Sequence, residues 1–195
     1  MQKEYELKLP AHGKKKPLSL ADLLSVETLL RLNPHWIVEN LDENNGAFTA
    51  SFKDHETEKK FQLTGSLAFP DAQTLELSFD EGYYKKISLF PRDAVFWSEV
   101  VYRTEEEEQQ EPGEDIERHV VLWIRSIKEY LRMYLKNTPN TVFFRYIMNK
   151  IILKMTPSQR KISLMMIRLT VVEILVILFI VIGYVIFVLK PLGSP

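Results

Sequence analysis

The chain contains no cysteine, which excludes disulfides, thiolate metal sites and a cysteine nucleophile together. Glycine is scarce, with seven in 195 residues, and none falls in a Walker or dinucleotide pattern that would cradle a phosphate. The serine-hydrolase and zinc-protease motifs are missing as well. No apolar run follows Met1, because Glu4–Leu9 alternates charged and apolar residues. A cleaved secretory signal is therefore not expected, and the soluble part is expected in the cytosol. The four histidines, His12, His35, His55 and His119, have no metal-ligand spacing. Each reads as an ordinary surface histidine, so neither a metal nor a cofactor is implied. A strand carboxylate such as Glu76 or Glu99 could serve as an acid or base only by pointing into a cavity. No catalytic residue is expected.

The formal net charge of −1 conceals an asymmetry. Residues 1–135 carry 17 Lys/Arg against 25 Asp/Glu, whereas residues 136–195 carry 8 against 1. An acidic domain thus precedes a basic stalk. That arrangement argues against nucleic acid as a partner, since a phosphate-binding domain carries the positive surplus itself. It suits a basic segment lying against anionic lipid headgroups.

Long apolar runs are confined to one place. Thr170–Leu189 is 20 residues with Glu173 as its one charge, long enough to cross about 30 Å of hydrocarbon. A buried helix of a globular domain would rarely lack a polar face over five turns. Lys150, Lys154, Arg160, Lys161 and Arg168 precede this run and only Lys190 follows it. The positive-inside rule then places the N-terminal domain in the cytosol. The expectation is a single-pass, tail-anchored protein of a bacterial inner membrane or an organelle membrane. Glu173 either reaches the interface or meets a cation or hydroxyl of another membrane subunit.

Between domain and span, residues 136–156 form a basic juxtamembrane segment. Within it, Thr141–Met155 sets Arg145, Asn149, Lys150 and Lys154 on one half of a helical wheel and Phe143, Phe144, Ile147, Ile151 and Ile152 largely on the other. It predicts an amphipathic helix lying in the interface, with Arg145, Lys150, Lys154, Arg160 and Lys161 as membrane-surface residues, or a helix packed on a partner subunit. Thr156-Pro157 is an N-cap signal followed by proline at the first helical position. A last helix is expected over 157–190, with a short tail over 191–195.

Residues 1–135 read as one α+β domain. Tyr5, Leu7 and Leu9 alternate with charged residues as in a half-buried strand. Ser19 with Asp22 starts a helical stretch through Leu30 that must end before Pro34. Six strands follow: Trp36–Leu41, Ala47–Phe52, Phe61–Phe69, Leu75–Phe79, Tyr84–Phe90 and Val95–Tyr102. Turn-rich separators, among them Asp42–Gly46 and Pro91-Arg92-Asp93, make them an antiparallel meander. Arg103–Glu117 has little to bury and reads as a mobile surface loop. A long helix then presents Val120, Trp123, Ile124, Ile127, Leu131 and Tyr134 on one face.

The order of strand, helical segment, six strands and long C-terminal helix resembles the START-like superfamily, also called the helix-grip or polyketide-cyclase and lipid-transport (SRPBCC) fold. The resemblance covers about residues 3–135. It rests on YELKL near the start, LADLLSVETLLRL, the Trp36 strand and VVLWIRSIKEYLRMYL. It implies a curved antiparallel sheet of about seven strands wrapped on the last helix, with a cavity between them. Trp36, Phe48, Phe61, Phe79, Trp97, Trp123, Ile127 and Tyr130 would line that cavity, or fill it. With a cavity, the domain binds a hydrophobic small molecule or membrane lipid. With a filled core it serves as a non-catalytic accessory subunit among other membrane subunits. A cyclase or hydrolase on this fold would need polar groups converging in a pocket, and no such set stands out in the sequence.

Overall fold

The computed structural model describes residues 1–11, 17–103 and 114–186. The chain divides into two compact units, Met1–Pro157 and Ser158–Pro195. In the first unit β1 (Gln2–Pro10) leads to two short helices, α1 (Leu20–Leu23) and α2 (Val26–Leu32). Then come β2 (Trp36–Asn44), β3 (Ala47–Asp54), β4 (Lys60–Asp71), β5 (Thr74–Phe79), β6 (Tyr84–Arg92) and β7 (Val95–Tyr102). The long helix α3 (Glu114–Arg132), α4 (Pro139–Lys150) and a single tight helical turn (Ile152–Lys154) complete the unit.

All pairings are antiparallel, in the order β1-β7-β6-β5-β4-β3-β2. Strands β2 to β7 form the expected meander, and β1 closes against β7, its sequence-distant neighbour. The hairpins have local causes. Asn45 (φ 51°) and Gly46 (φ 82°) supply the two left-handed residues that a tight β2–β3 turn needs. Between β6 and β7 the same geometry falls on Asp93 (φ 52°) and Ala94 (φ 64°).

Several sequence expectations are corrected. The helical stretch after Ser19 is two helices, because Ser25 caps a second start by accepting from the Thr28 amide. Leu24 between them is extended. Pro91 and Arg92 lie in β6 rather than in a turn. Their strand has run past its pairing with β5, which ends at Leu89, so the missing amide of Pro91 breaks no ladder there. The loop expected over Arg103–Glu117 includes the first turn of α3, which starts at Glu114; the acidic run Glu105–Glu108 and Pro112-Gly113 lie outside the described residues.

The core lies between one face of the sheet and α3. Val120, Trp123, Ile124, Ile127 and Leu131 are all buried, as the helical spacing requires. From the sheet come Leu7, Phe48, Phe52, Leu77, Phe79, Leu89, Phe96 and Val100. The compact unit also runs on through α4 and the tight turn, with Ile152 and Leu153 buried, where the sequence reading ends the domain at residue 135.

The second unit is α5, Pro157–Tyr184, beginning at the proline that the sequence marks as a helix start. It is one helix long and apolar enough to cross a membrane. From Val171 to Ile182 its large apolar side chains are all exposed, as is Glu173. The end of the expected span at Leu189, Lys190, the tail over 191–195 and the Lys161 side chain lie outside the described residues.

Candidate functional site

The expected cavity would sit between the sheet and α3, and aromatic rings occupy that seam. Trp123 on α3 has ring contacts with Trp36 at 5.0 Å and with Phe79 and Tyr84 at 6.3 Å. Trp36 in turn meets Phe52 at 4.8 Å and Phe61 at 5.8 Å, and Phe48 meets Phe79 edge-on at 5.9 Å. Of the eight residues singled out, Trp36, Phe48, Phe79, Trp123, Ile127 and Tyr130 are buried and Phe61 half-buried. Burial pushes the Tyr84 phenol far above its ordinary range, so it stays neutral among these rings.

Trp97 does not join them. In β7 the buried positions are Phe96, Ser98, Val100 and Tyr102, so Trp97 stands on the opposite face of the sheet, under the guanidinium of Arg92 at 4.9 Å. Strand periodicity lets only one of the neighbours Phe96 and Trp97 face inward, and Phe96 does. The strand carboxylates also face away from the core. Glu76 pairs with Lys86 at 2.6 Å, and Glu99 accepts from the Gln2 side chain.

A groove of about 420 Å³ lies elsewhere in this unit, bounded by α1, α2, the end of α3, α4 and the tight turn. Leu23, Leu24 and Leu153 give it apolar walls, and Arg31, Tyr130 and Asn149 give it polar ones. The polar groups form one network. The Tyr130 hydroxyl donates to Asn149 Oδ1 at 3.0 Å and lies 3.1 Å from the Tyr134 hydroxyl, to which Asn149 Nδ2 donates at 3.0 Å. Burial, with the Tyr134 contact second, holds the Tyr130 phenol well above its usual range. Arg31 donates to Glu27 at 2.8 Å and to the Leu153 carbonyl at 3.5 Å. Tyr130 was visible in the sequence as a core aromatic. Its part in a groove was not, because the wall opposite it comes from α4, which the sequence places at a membrane.

On α4 the apolar side chains of the expected amphipathic helix are largely uncovered, and Arg145 does not stand free with its other cations. Arg145 is half-buried against the segment after α3, donating to Asn137 Oδ1 at 2.7 Å and lying over the Tyr134 ring at 5.1 Å. Val142, Phe143, Phe144 and Tyr146 are exposed instead. The helix also breaks at Ile151, so Lys154 no longer shares its wheel. Lys150 and Lys154 are exposed and Arg160 is half-buried.

The histidines correct the sequence reading further. His35, just before β2, is buried, and its ring stacks on that of His119 in α3 at 3.7 Å between centroids. Its Nδ1 stands 3.4 Å from Glu56 Oε1, and its Nε2 is buried without a partner. Burial, then the neighbouring His119, lowers the pKa of His35. His55 is half-buried, and His12 lies outside the described residues.

The antiparallel order β1-β7-β6-β5-β4-β3-β2, with α1 and α2 after β1 and α3 packed across the sheet, decides the architecture. The first unit has the helix-grip fold. No protein-family model matches the chain, and no curated protein does. Solved structures similar to it include the AHSA1-like protein from Aeromonas hydrophila, 10% identical with a TM-score of 0.42, covering 71% of this chain and 96% of that one. The Zhui aromatase/cyclase from Streptomyces sp. R1128 is 15% identical with a TM-score of 0.42, covering 70% and 94%. Ara h 8.0201 is 16% identical with a TM-score of 0.42, covering 68% and 96%.

Proposed function

We propose that the protein is a membrane-anchored helix-grip domain that binds an amphiphilic small molecule or lipid in the groove between α1–α2 and α4. The groove carries this reading. Its 420 Å³ falls within the roughly 300–1,000 Å³ typical of small-molecule sites. Leucines beside a tyrosine–asparagine network offer an apolar tail and a polar head their separate partners. In this reading α5 crosses the bilayer with the helix-grip domain on the cytosolic side, and the aromatic face of α4 lies in the lipid interface. The exposed apolar length of α5 supports the first part, since so much uncovered apolar surface is costly in water.

The rings packed against one another in the seam favour a second reading, an accessory subunit that binds a protein through the same surfaces. Native mass spectrometry of the full chain released from detergent distinguishes them. The expected result is a bound amphiphile that disappears in Ala21→Trp, which places an indole in the groove. A wild-type chain with no bound species, or equal occupancy in Ala21→Trp, overturns the groove reading, and a stoichiometric protein partner in its place supports the second.

A further inference from the structure

His35, Glu56 and His119 come from three distant parts of the chain. The first precedes β2, the second lies in the turn between β3 and β4, and the third is on α3. One donor atom from each lies within 4.8 Å of the other two. We propose that these three residues bind one divalent transition-metal ion, of the class represented by Zn(II), and that the ion clips α3 to the β2 and β3–β4 end of the sheet.

The backbone holds two of the donors in place. The His35 amide donates to Asn33 Oδ1 at 2.9 Å, and the His35 carbonyl accepts from the His55 amide at 2.7 Å. The Glu56 amide donates to Asp54 Oδ1 at 3.0 Å. That oxygen also accepts from Thr57, so Asp54 is occupied in its own turn.

The donor chemistry selects the ion. Two imidazoles and a carboxylate suit zinc and its neighbours in the first transition row, whereas calcium and magnesium take oxygen ligands. Three protein ligands leave the fourth position of a tetrahedral ion to water, which the exposed side of Glu56 can admit. His35, at 9% side-chain exposure, offers the ion either nitrogen: Nδ1 stands 3.4 Å from Glu56 Oε1, and Nε2 is buried without a partner, so coordination at Nε2 would also match a polar atom that the fold leaves unmatched.

The distances also state what must move. An ion bonded at about 2.0–2.1 Å sets tetrahedral donors roughly 3.3 Å apart, closer than the 4.8 Å that bounds this cluster. The imidazoles lie 20° from parallel with centroids 3.7 Å apart, so their in-plane lone pairs run in separate planes and one ring has to turn for both to point at an ion. His119 is half-buried and Glu56 is exposed, which leaves these two free to close on the fixed His35.

The test uses the full chain in detergent, stripped with a chelator and titrated with Zn(II). One Zn(II) per chain is expected, and at a hundredfold excess over Kd the melting temperature should rise by roughly 5–10 °C. Glu56→Gln and His119→Ala should each weaken binding about tenfold or more and lose that rise, while His55→Ala keeps it. Glu56→Gln touches an exposed side chain, so it remains informative even if His119→Ala folds poorly. Absence of saturable binding, a rise that persists in Glu56→Gln, or binding that depends on His55 would each overturn the proposal, leaving a histidine stack without an ion.

Discussion

The indole nitrogen of Trp123 donates to the main-chain carbonyl of Leu29 at 2.8 Å. Leu29 lies in the last turn of α2, where carbonyls have no partner within the helix. A single side chain of α3 therefore fills the seam with its ring and closes the end of α2 with its edge. Trp123→Phe keeps most of the ring but leaves a buried carbonyl unmatched, and is expected to cost about 1–3 kcal/mol. Trp123→Ala also removes the ring contacts and is expected to cost about 3–5 kcal/mol, a large share of a total of roughly 5–15 kcal/mol. Denaturant unfolding of both variants measures the difference. Equal stability of Trp123→Phe and wild type would show that the hydrogen bond contributes nothing.

Ala94 carries φ 64° in the β6–β7 turn, a left-handed conformation in which a Cβ crowds the backbone. The Ala94 carbonyl accepts from the Ala11 amide at 2.9 Å, which ties the end of β1 to this turn and keeps the conformation fixed. Ala94→Gly should therefore stabilise the domain by about 0.4–1 kcal/mol, net of the extra freedom glycine has when unfolded. A small rise in thermal midpoint is the expected reading, and a fall would mean that the strain is relieved elsewhere.

How much was legible in the sequence follows from the range over which each feature is determined. The strands carry their signal locally, in alternation and in turns such as Asn45-Gly46, and all seven are present, although β2 runs on to Asn44, β4 to Asp71 and β6 to Arg92, into residues whose types mark turns. The buried face of α3 is equally local, since helical spacing alone brings Trp123, Ile127 and Leu131 to one side. Trp97 could not be placed this way, because alternation defines two faces without saying which one meets α3. Nor could the groove and the His35–His119 stack. Each joins residues many positions apart, and nothing near His35 in sequence announces a helix 84 positions later. Arg145 shows a further limit: a helical wheel separates its charged and apolar halves, but whether the cation faces solvent was decided by Tyr134 and Asn137 beside it.

Gly65 marks a close approach inside the sheet. It pairs with Phe48 on one side and Phe79 on the other, and a Cβ built there would lie 2.2 Å from the Ser78 carbonyl oxygen and 2.9 Å from the Phe48 ring. Gly65→Ala is expected to cost at least the roughly 1–3 kcal/mol of an overpacked core. The nearer obstacle is main chain, so Phe48→Leu should not rescue it. Rescue in the double variant, read by chemical denaturation, would place the clash on the ring instead.

The exposed face of α4 gives the last expectation. Phe143 is 59% exposed, Tyr146 62% and Val142 51%, while Arg145 is half-buried against Asn137 and Tyr134. If this face meets lipid, apolar burial rather than charge should dominate the interaction. A phenylalanine fully removed from water contributes about 1.5–3 kcal/mol. Replacing both rings in Phe143→Ser/Phe144→Ser should then weaken partitioning of the Met1–Pro157 unit onto anionic vesicles by about a hundredfold or more. Each exposed cation contributes about 1 kcal/mol near an anionic surface, so Lys150→Gln should weaken it only about fivefold. Salt separates the two contributions, because it screens the lysines and leaves ring burial largely untouched. Vesicle cosedimentation at low and high salt is therefore expected to retain most of the wild-type binding. Loss of binding on raising salt, with no effect of the double serine variant, would return the interaction to the basic residues and leave the aromatic face of α4 for a protein partner.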